Sequence, residues 1–144
     1  MTVKLYGTHK LFAAIAEKRE LALYAVQEFA KIPGMMFNTI TAHLCMSHSA
    51  GINIVAKPQL SLFAFQVNWP GSSRQQRNTA TMELLDRVLK RGKVVLSGCE
   101  ISGDYYGRVC ILGFRTHKDY VDLCIQQARE ETAEILKPTY SYVN

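Results

Sequence analysis

No stretch of this sequence carries the ~20 consecutive apolar residues that a bilayer-spanning helix needs. The opening residues, Met-Thr-Val-Lys-Leu-Tyr-Gly, lack a basic segment followed by an apolar core, so no secretion signal is read there. The four cysteines, Cys45, Cys99, Cys110 and Cys124, include no C-x-x-C pair. That spacing argues against structural zinc and thioredoxin-type redox chemistry. Three of them fall in apolar segments and are expected to be small buried hydrophobes. An unpaired, reduced set fits the cytosol. None of Ser47, Ser49, Ser72 and Ser73 has the G-x-S-x-G context of an activated nucleophile. Asp86, Asp119 and Asp122 fall on predicted helix faces or caps, and no carboxylate pair stands out for acid–base work.

What is present suits one compact domain over residues 1–144, with 48% hydrophobic and 20% charged residues. The net charge is +5 and the pI about 9.1. The basic residues are scattered, however. The short clusters Lys18-Arg19 and Lys90-Arg91-Gly92-Lys93 lie on or at the end of predicted helices, where a solvated face accounts for them. Nucleic-acid binding and membrane association are therefore not expected.

Periodicity predicts a first helix from about Lys10 to Lys31, capped by Thr8 and stopped by Pro33-Gly34, with Leu11, Ile15, Ala22, Val26 and Phe29 as its apolar stripe. Residues 35 to 51 read as a long loop. Two strands follow, Ile52 to Ala56 and Leu60 to Val67, with a turn at Lys57-Pro58-Gln59. A second helix spans about Gln75 to Arg91, with Met82, Leu85, Val88 and Leu89 inward and Gly92 ending it. Val94 to Ile101 and Tyr105 to Phe114 read as a hairpin joined by Ser102-Gly103-Asp104. The last helix is capped by Thr116 with Asp119 and carries Val121, Cys124, Ile125, Ala128, Thr132 and Ile135 on one face. Pro138 is expected to end it and Thr139 to Asn144 to form a tail.

This order gives an α+β fold, a small antiparallel sheet of about four strands with about three helices on one face. In the fourth strand Tyr106, Arg108, Cys110 and Leu112 then share one side, and Gly107, Val109 and Ile111 the other. Helices cover one side only, so the Arg108 side is an apolar face suited to another protein surface.

Several segments, in order, resemble the C-terminal small domain of the group II pyridoxal-phosphate-dependent amino-acid decarboxylases (the aromatic-amino-acid and glutamate decarboxylase family). They are Lys4-Leu5-Tyr6-Gly7 ahead of the first helix, Pro58-Gln59-Leu60-Ser61-Leu62-Phe63-Ala64-Phe65, Asn78 to Gly92, Gly92 to Cys99, Tyr105-Tyr106-Gly107-Arg108-Val109-Cys110-Ile111, and Arg115 to Asp122. The resemblance runs from Val3 to Leu136, and the stretch from Met35 to Gly51 is longer than the family's connection there. It implies a parent activity, removal of an amino acid's α-carboxylate, in which pyridoxal phosphate serves as the electron sink. The family's large domain, with its Schiff-base lysine, is absent, and His117-Lys118 matches the small domain instead.

On this resemblance Arg108 either binds a substrate carboxylate or contacts the large domain, and Tyr106 is a secondary candidate on the same wall. Tyr105 is a candidate for the same site as well, and packing is the expected role of both tyrosines. No catalytic, cofactor-binding or metal residue is expected on the chain alone, which is expected to be inactive. Its expected partner is the large cofactor-binding domain or a separate chain, the amino-acid substrate entering only in the complete enzyme. The initial Met admits a second reading, a stand-alone non-catalytic binding or assembly module that pairs with itself or with a separate large-domain chain. His43-x-Cys45-x-x-His48 lacks a nearby fourth ligand and is read as loop rather than metal site.

Overall fold

The computed structural model describes residues 2–32, 51–56, 58 and 60–140. Three helices, α1 (Thr2–Phe29), α2 (Arg74–Lys90) and α3 (Lys118–Tyr140), combine with four strands, β1 (Gly51–Ala56), β2 (Leu62–Asn68), β3 (Ser97–Ile101) and β4 (Asp104–Cys110). All pairings are antiparallel, in the order β1-β2-β4-β3. The architecture is the expected α+β layer. The His43, Cys45 and His48 set, most of the 35–51 loop, Lys57 and Gln59 of the first turn, and residues 141–144 lie outside the described residues.

The strand period of two decides which face is covered. Phe63, Phe65 and Val67 of β2 are fully buried, as are Ala22, Ala25 and Phe29 of α1. The Phe29 ring meets Phe63 edge-on at 5.4 Å and Phe65 tilted at 5.4 Å, which fixes α1 to the sheet. Phe65 stands opposite Gly107 in the register, and a Cβ built there would lie 2.4 Å from the ring. Gly98, on the same face, is overlain in the same way by Tyr105. The two glycines leave room for aromatic rings to lie across the strands.

At its far end β2 leaves β4, and α2 supplies the missing partners. The Val67 amide donates to Thr81 Oγ1 at 3.1 Å. Asn78 Oδ1 accepts from the Tyr105 amide at 2.8 Å and from Gln66 Nε2 at 3.3 Å, while Asn78 Nδ2 donates to the Gly103 carbonyl. These bonds turn α2 away from the apolar stripe expected from the sequence. Ala80, Thr81, Leu84, Leu85 and Val88 are buried, while Met82 and Leu89 are exposed. A capping box between Ser73 and Gln76 starts the helix, and Gly92, at φ 69°, follows its end.

Other boundaries move for physical reasons. The hairpin turn has two residues, not three: Ser102 (φ 54°) and Gly103 (φ 83°) both adopt the positive φ of a tight turn that matches strand twist. β3 begins at Ser97, because Val94 to Leu96 do not continue the ladder. The His117 carbonyl accepts the first α3 bond, from Val121, so the cap lies one residue past Thr116. α3 continues through Pro138, which sits in the last turn, where a missing N–H removes a single bond. Of the cysteines among the described residues, only Cys124 is buried. Cys99 is half-buried and Cys110, on the uncovered sheet face, is exposed. Burial pushes the Cys124 thiol up to about 12, which leaves it unreactive.

Ion pairs clamp the helices. Lys118 and the Tyr24 hydroxyl both donate to Asp122, and Lys118 also lies over the Tyr24 ring. Arg91 bridges Glu130 and Glu131. The Lys118 and Tyr24 bonds hold the Asp122 carboxyl below its ordinary range, and Arg91 with Gln126 does the same for Glu130. A carboxyl lowered on folding adds stability above its unfolded pKa, and this is lost as pH falls through the folded value.

Two outcomes follow. Gly107→Ala should cost about 1–3 kcal/mol in urea unfolding, because the Phe65 ring cannot make room without leaving its rotamer. The acid limb of the melting-temperature profile, below about pH 4, should flatten in Asp122→Asn, and an unchanged limb would remove Asp122 from the pH dependence.

Candidate interdomain surface

The face of the sheet turned away from the helices is the uncovered one. Arg108 sits near its middle on β4, with Ala64 of β2 and Ser97 of β3 as direct cross-strand partners. Both neighbours have small side chains. Leu62, opposite Cys110, is 42% exposed, and Leu112, just past the strand, is 75% exposed.

Arg108 is half-buried, and its Nε is shut off from solvent with no hydrogen-bond acceptor. Among the described residues it forms no ion pair. Most other arginines here are matched: Arg74 and Arg77 to Asp104, Arg87 to Glu83 and Glu131, Arg91 to Glu130 and Glu131. An unpaired buried donor is costly, and five N–H groups in a planar fork are suited to a carboxylate.

Alternation places Tyr106, half-buried, on the same face as Arg108. Tyr105 is on the opposite face, packed against the core over Gly98, so it belongs to the packing and not to the Arg108 wall.

A second uncovered surface was not foreseen. Leu11, Ile15, Lys18, Ala22, Ala25 and Phe29 form one unbroken stripe along α1, alternating four and three residues apart. Its last three members are fully buried. Lys18 is tied to the start of α3, donating to the Thr116 carbonyl at 2.7 Å, beside the Glu17–His117 pair. Before Glu17 the body of the fold stops and α1 runs on, its residues from Gly7 to Ala16 all exposed. Ile15 is 50% exposed and Phe12 69%. Gly7, at φ 74°, breaks the helix ahead of this overhang. Leu11 and Ile15 were expected in the core. The periodicity is right, but nothing among the described residues lies opposite them.

Two of the placed lysines are committed within the fold. Lys118 is held in its charged form by Asp122 and the Tyr24 hydroxyl, the reverse of what an amine nucleophile needs. Lys18 is spent on the Thr116 carbonyl and Glu17. No group of three or more metal-ligating side chains occurs among the described residues, nor does any helix there reach the length and apolarity of a membrane span.

No family model matches the chain, and no curated protein matches it in sequence. Solved structures match in fold. The Rhodiola rosea 4-hydroxyphenylacetaldehyde synthase is similar with a TM-score of 0.75 and 20% identity, over 94% of this chain and 25% of that one. The Oryza sativa TDC, in complex with PLP and tryptamine, gives 0.74 and 16%, over 94% and 26%. The Catharanthus roseus tryptophan decarboxylase, in complex with L-tryptophan, gives 0.67 and 18%, over 93% and 24%. The chain thus spans about a quarter of the length of the proteins it matches. In fold it matches about one quarter of the length of solved pyridoxal-phosphate-dependent decarboxylases.

Proposed function

We propose that this chain serves as the C-terminal small domain of a pyridoxal-phosphate-dependent amino-acid carboxy-lyase, forming one wall of the active site and the surface on which the cofactor-bearing body docks. The observation that carries this reading is Arg108, whose buried Nε lacks an acceptor in the middle of an uncovered, largely apolar sheet face. The fold of solved decarboxylases, matched over a quarter of their length, supports it.

The chemistry follows from the surface. Docking removes water from Leu62, Leu112 and the overhanging Leu11, Phe12 and Ile15, and the apolar area buried supplies the driving force. Arg108 then takes a carboxylate arriving with the covering body, either a side chain of that body or the substrate it holds. In either case a two-bond fork fixes orientation as well as charge. Tyr106 borders the same wall. The bound cofactor would supply the electron sink for decarboxylation. The resemblance puts the Schiff-base lysine in the large domain, and Lys18 and Lys118 here are engaged elsewhere, so the chain by itself neither binds the cofactor covalently nor decarboxylates.

Three measurements check the reading. Light scattering on the purified chain should show heterogeneous, concentration-dependent association that Leu62→Asp with Leu112→Asp suppresses. A monodisperse dimer insensitive to both substitutions would favour a stand-alone module. Titration with pyridoxal phosphate should give no saturable change in the cofactor's absorbance, and a saturable change would overturn the assignment. Arg108→Met should leave stability within about 0.5 kcal/mol of the parent or raise it, because it removes an unpaired buried donor. A loss of about 2 kcal/mol or more would mean that Arg108 serves this chain's own fold.

A further inference from the structure

β3 and β4 part company at the Ser97–Arg108 pair, and the cleft this opens lies on the helix-covered side of the sheet, the side opposite Arg108. Its volume is about 190 Å³. Phe29, Leu96, Val109, Ile111 and Cys124 supply apolar walls. A cavity of about 150 Å³ with such a lining accepts a benzene ring, so this cleft has room for a phenyl group or a short alkyl chain.

The polar groups of the lining are unusual in being of one kind. Lys93, Thr116 and Tyr120 bring an ammonium and two hydroxyls, and no acidic side chain lines the cleft. Among the described residues none of these three polar ends has a side-chain hydrogen-bond or ion-pair partner. Asp119 lines an adjoining depression together with Lys93 and Tyr120, and it forms no ion pair with Lys93. An apolar cleft with a few convergent polar groups at one side is the usual form of a small-molecule site.

We propose that this cleft binds a small organic anion with an apolar tail, a monocarboxylate of phenyl or short-alkyl size. Its tail lies against Phe29, Leu96 and Ile111, and its carboxylate accepts from the Lys93 ammonium and the Tyr120 hydroxyl. The inference rests on the cleft alone and is independent of the docking role assigned to the Arg108 face.

Calorimetric titration of the chain with 3-phenylpropanoate tests it. Saturable binding is expected. 2-Phenylethylamine, the same ring with a cationic head, should bind at least about tenfold more weakly, as expected when a charge-assisted pair is lost. Lys93→Ala should weaken 3-phenylpropanoate about tenfold. Lys93 is exposed, so an unchanged melting temperature shows that the fold is intact. Asp119→Asn should leave the anion's affinity equal or tighter. No saturable binding of 3-phenylpropanoate, equal binding of the amine, or an affinity unchanged by Lys93→Ala would each overturn the proposal, and the amine comparison needs no variant at all.

Discussion

The packing of Phe29 between Phe63 and Phe65 sets the orientation of everything else. Strand side chains alternate, so committing the odd-numbered residues of β2 to α1 leaves the even-numbered ones on the other face. The register carries that choice across the sheet. Phe65 opposite Gly107 puts Val109 inside, and Arg108 must then face outward between Ala64 and Ser97. A shift of one residue would reverse every side chain. Gly107 is where this is enforced, because only a residue without a Cβ lets the Phe65 ring lie flat across β4.

Helices are attached to this sheet by two kinds of contact. α1 is held by apolar rings, and the Tyr24–Lys118–Asp122 and Lys18–Thr116 bonds tie it to α3. α2 is held at its N-terminal half by side-chain bonds to strand backbone through Asn78 and Thr81, where β2 and β4 diverge and their ladder groups need partners. The cost of leaving those groups unpaired outweighs the gain from burying Met82 or Leu89.

That balance explains what the sequence could and could not reveal. Element types, order, the open sheet face and the position of Arg108 on it follow from local periodicity, a turn with Gly103 and the two-residue alternation of β4. The face of α2 did not, because hydrophobic period cannot register that Thr81 would be claimed by the Val67 amide. The exposure of Cys110 follows from the same alternation that placed Arg108, and its apolar neighbours in sequence disguised it. The overhang of α1 had no local signal. Leu11 and Ile15 continue the stripe of Ala22 and Phe29 without a break, and a stripe says which residues want cover, not whether the chain contains it.

Arg108 and the overhang are separate symptoms of one condition. An isolated domain would gain by replacing Arg108 with an aliphatic residue and by ending the apolar stripe at Lys18. The two lie on opposite sides of the sheet, yet both approach the end where β4 runs out and α3 begins, marked by the Glu17–His117 and Lys18–Thr116 contacts. Leu112 and Phe114, each 75% exposed, bridge that end. On the proposed docking role, a body that satisfied Arg108 and covered Leu11, Phe12 and Ile15 would have to wrap this end of the sheet and not simply lie on one face. Such wrapping would place the proposed carboxylate at Arg108 within a contact whose stability came mostly from apolar area elsewhere, and the arginine would then orient what it bound rather than hold the two bodies together.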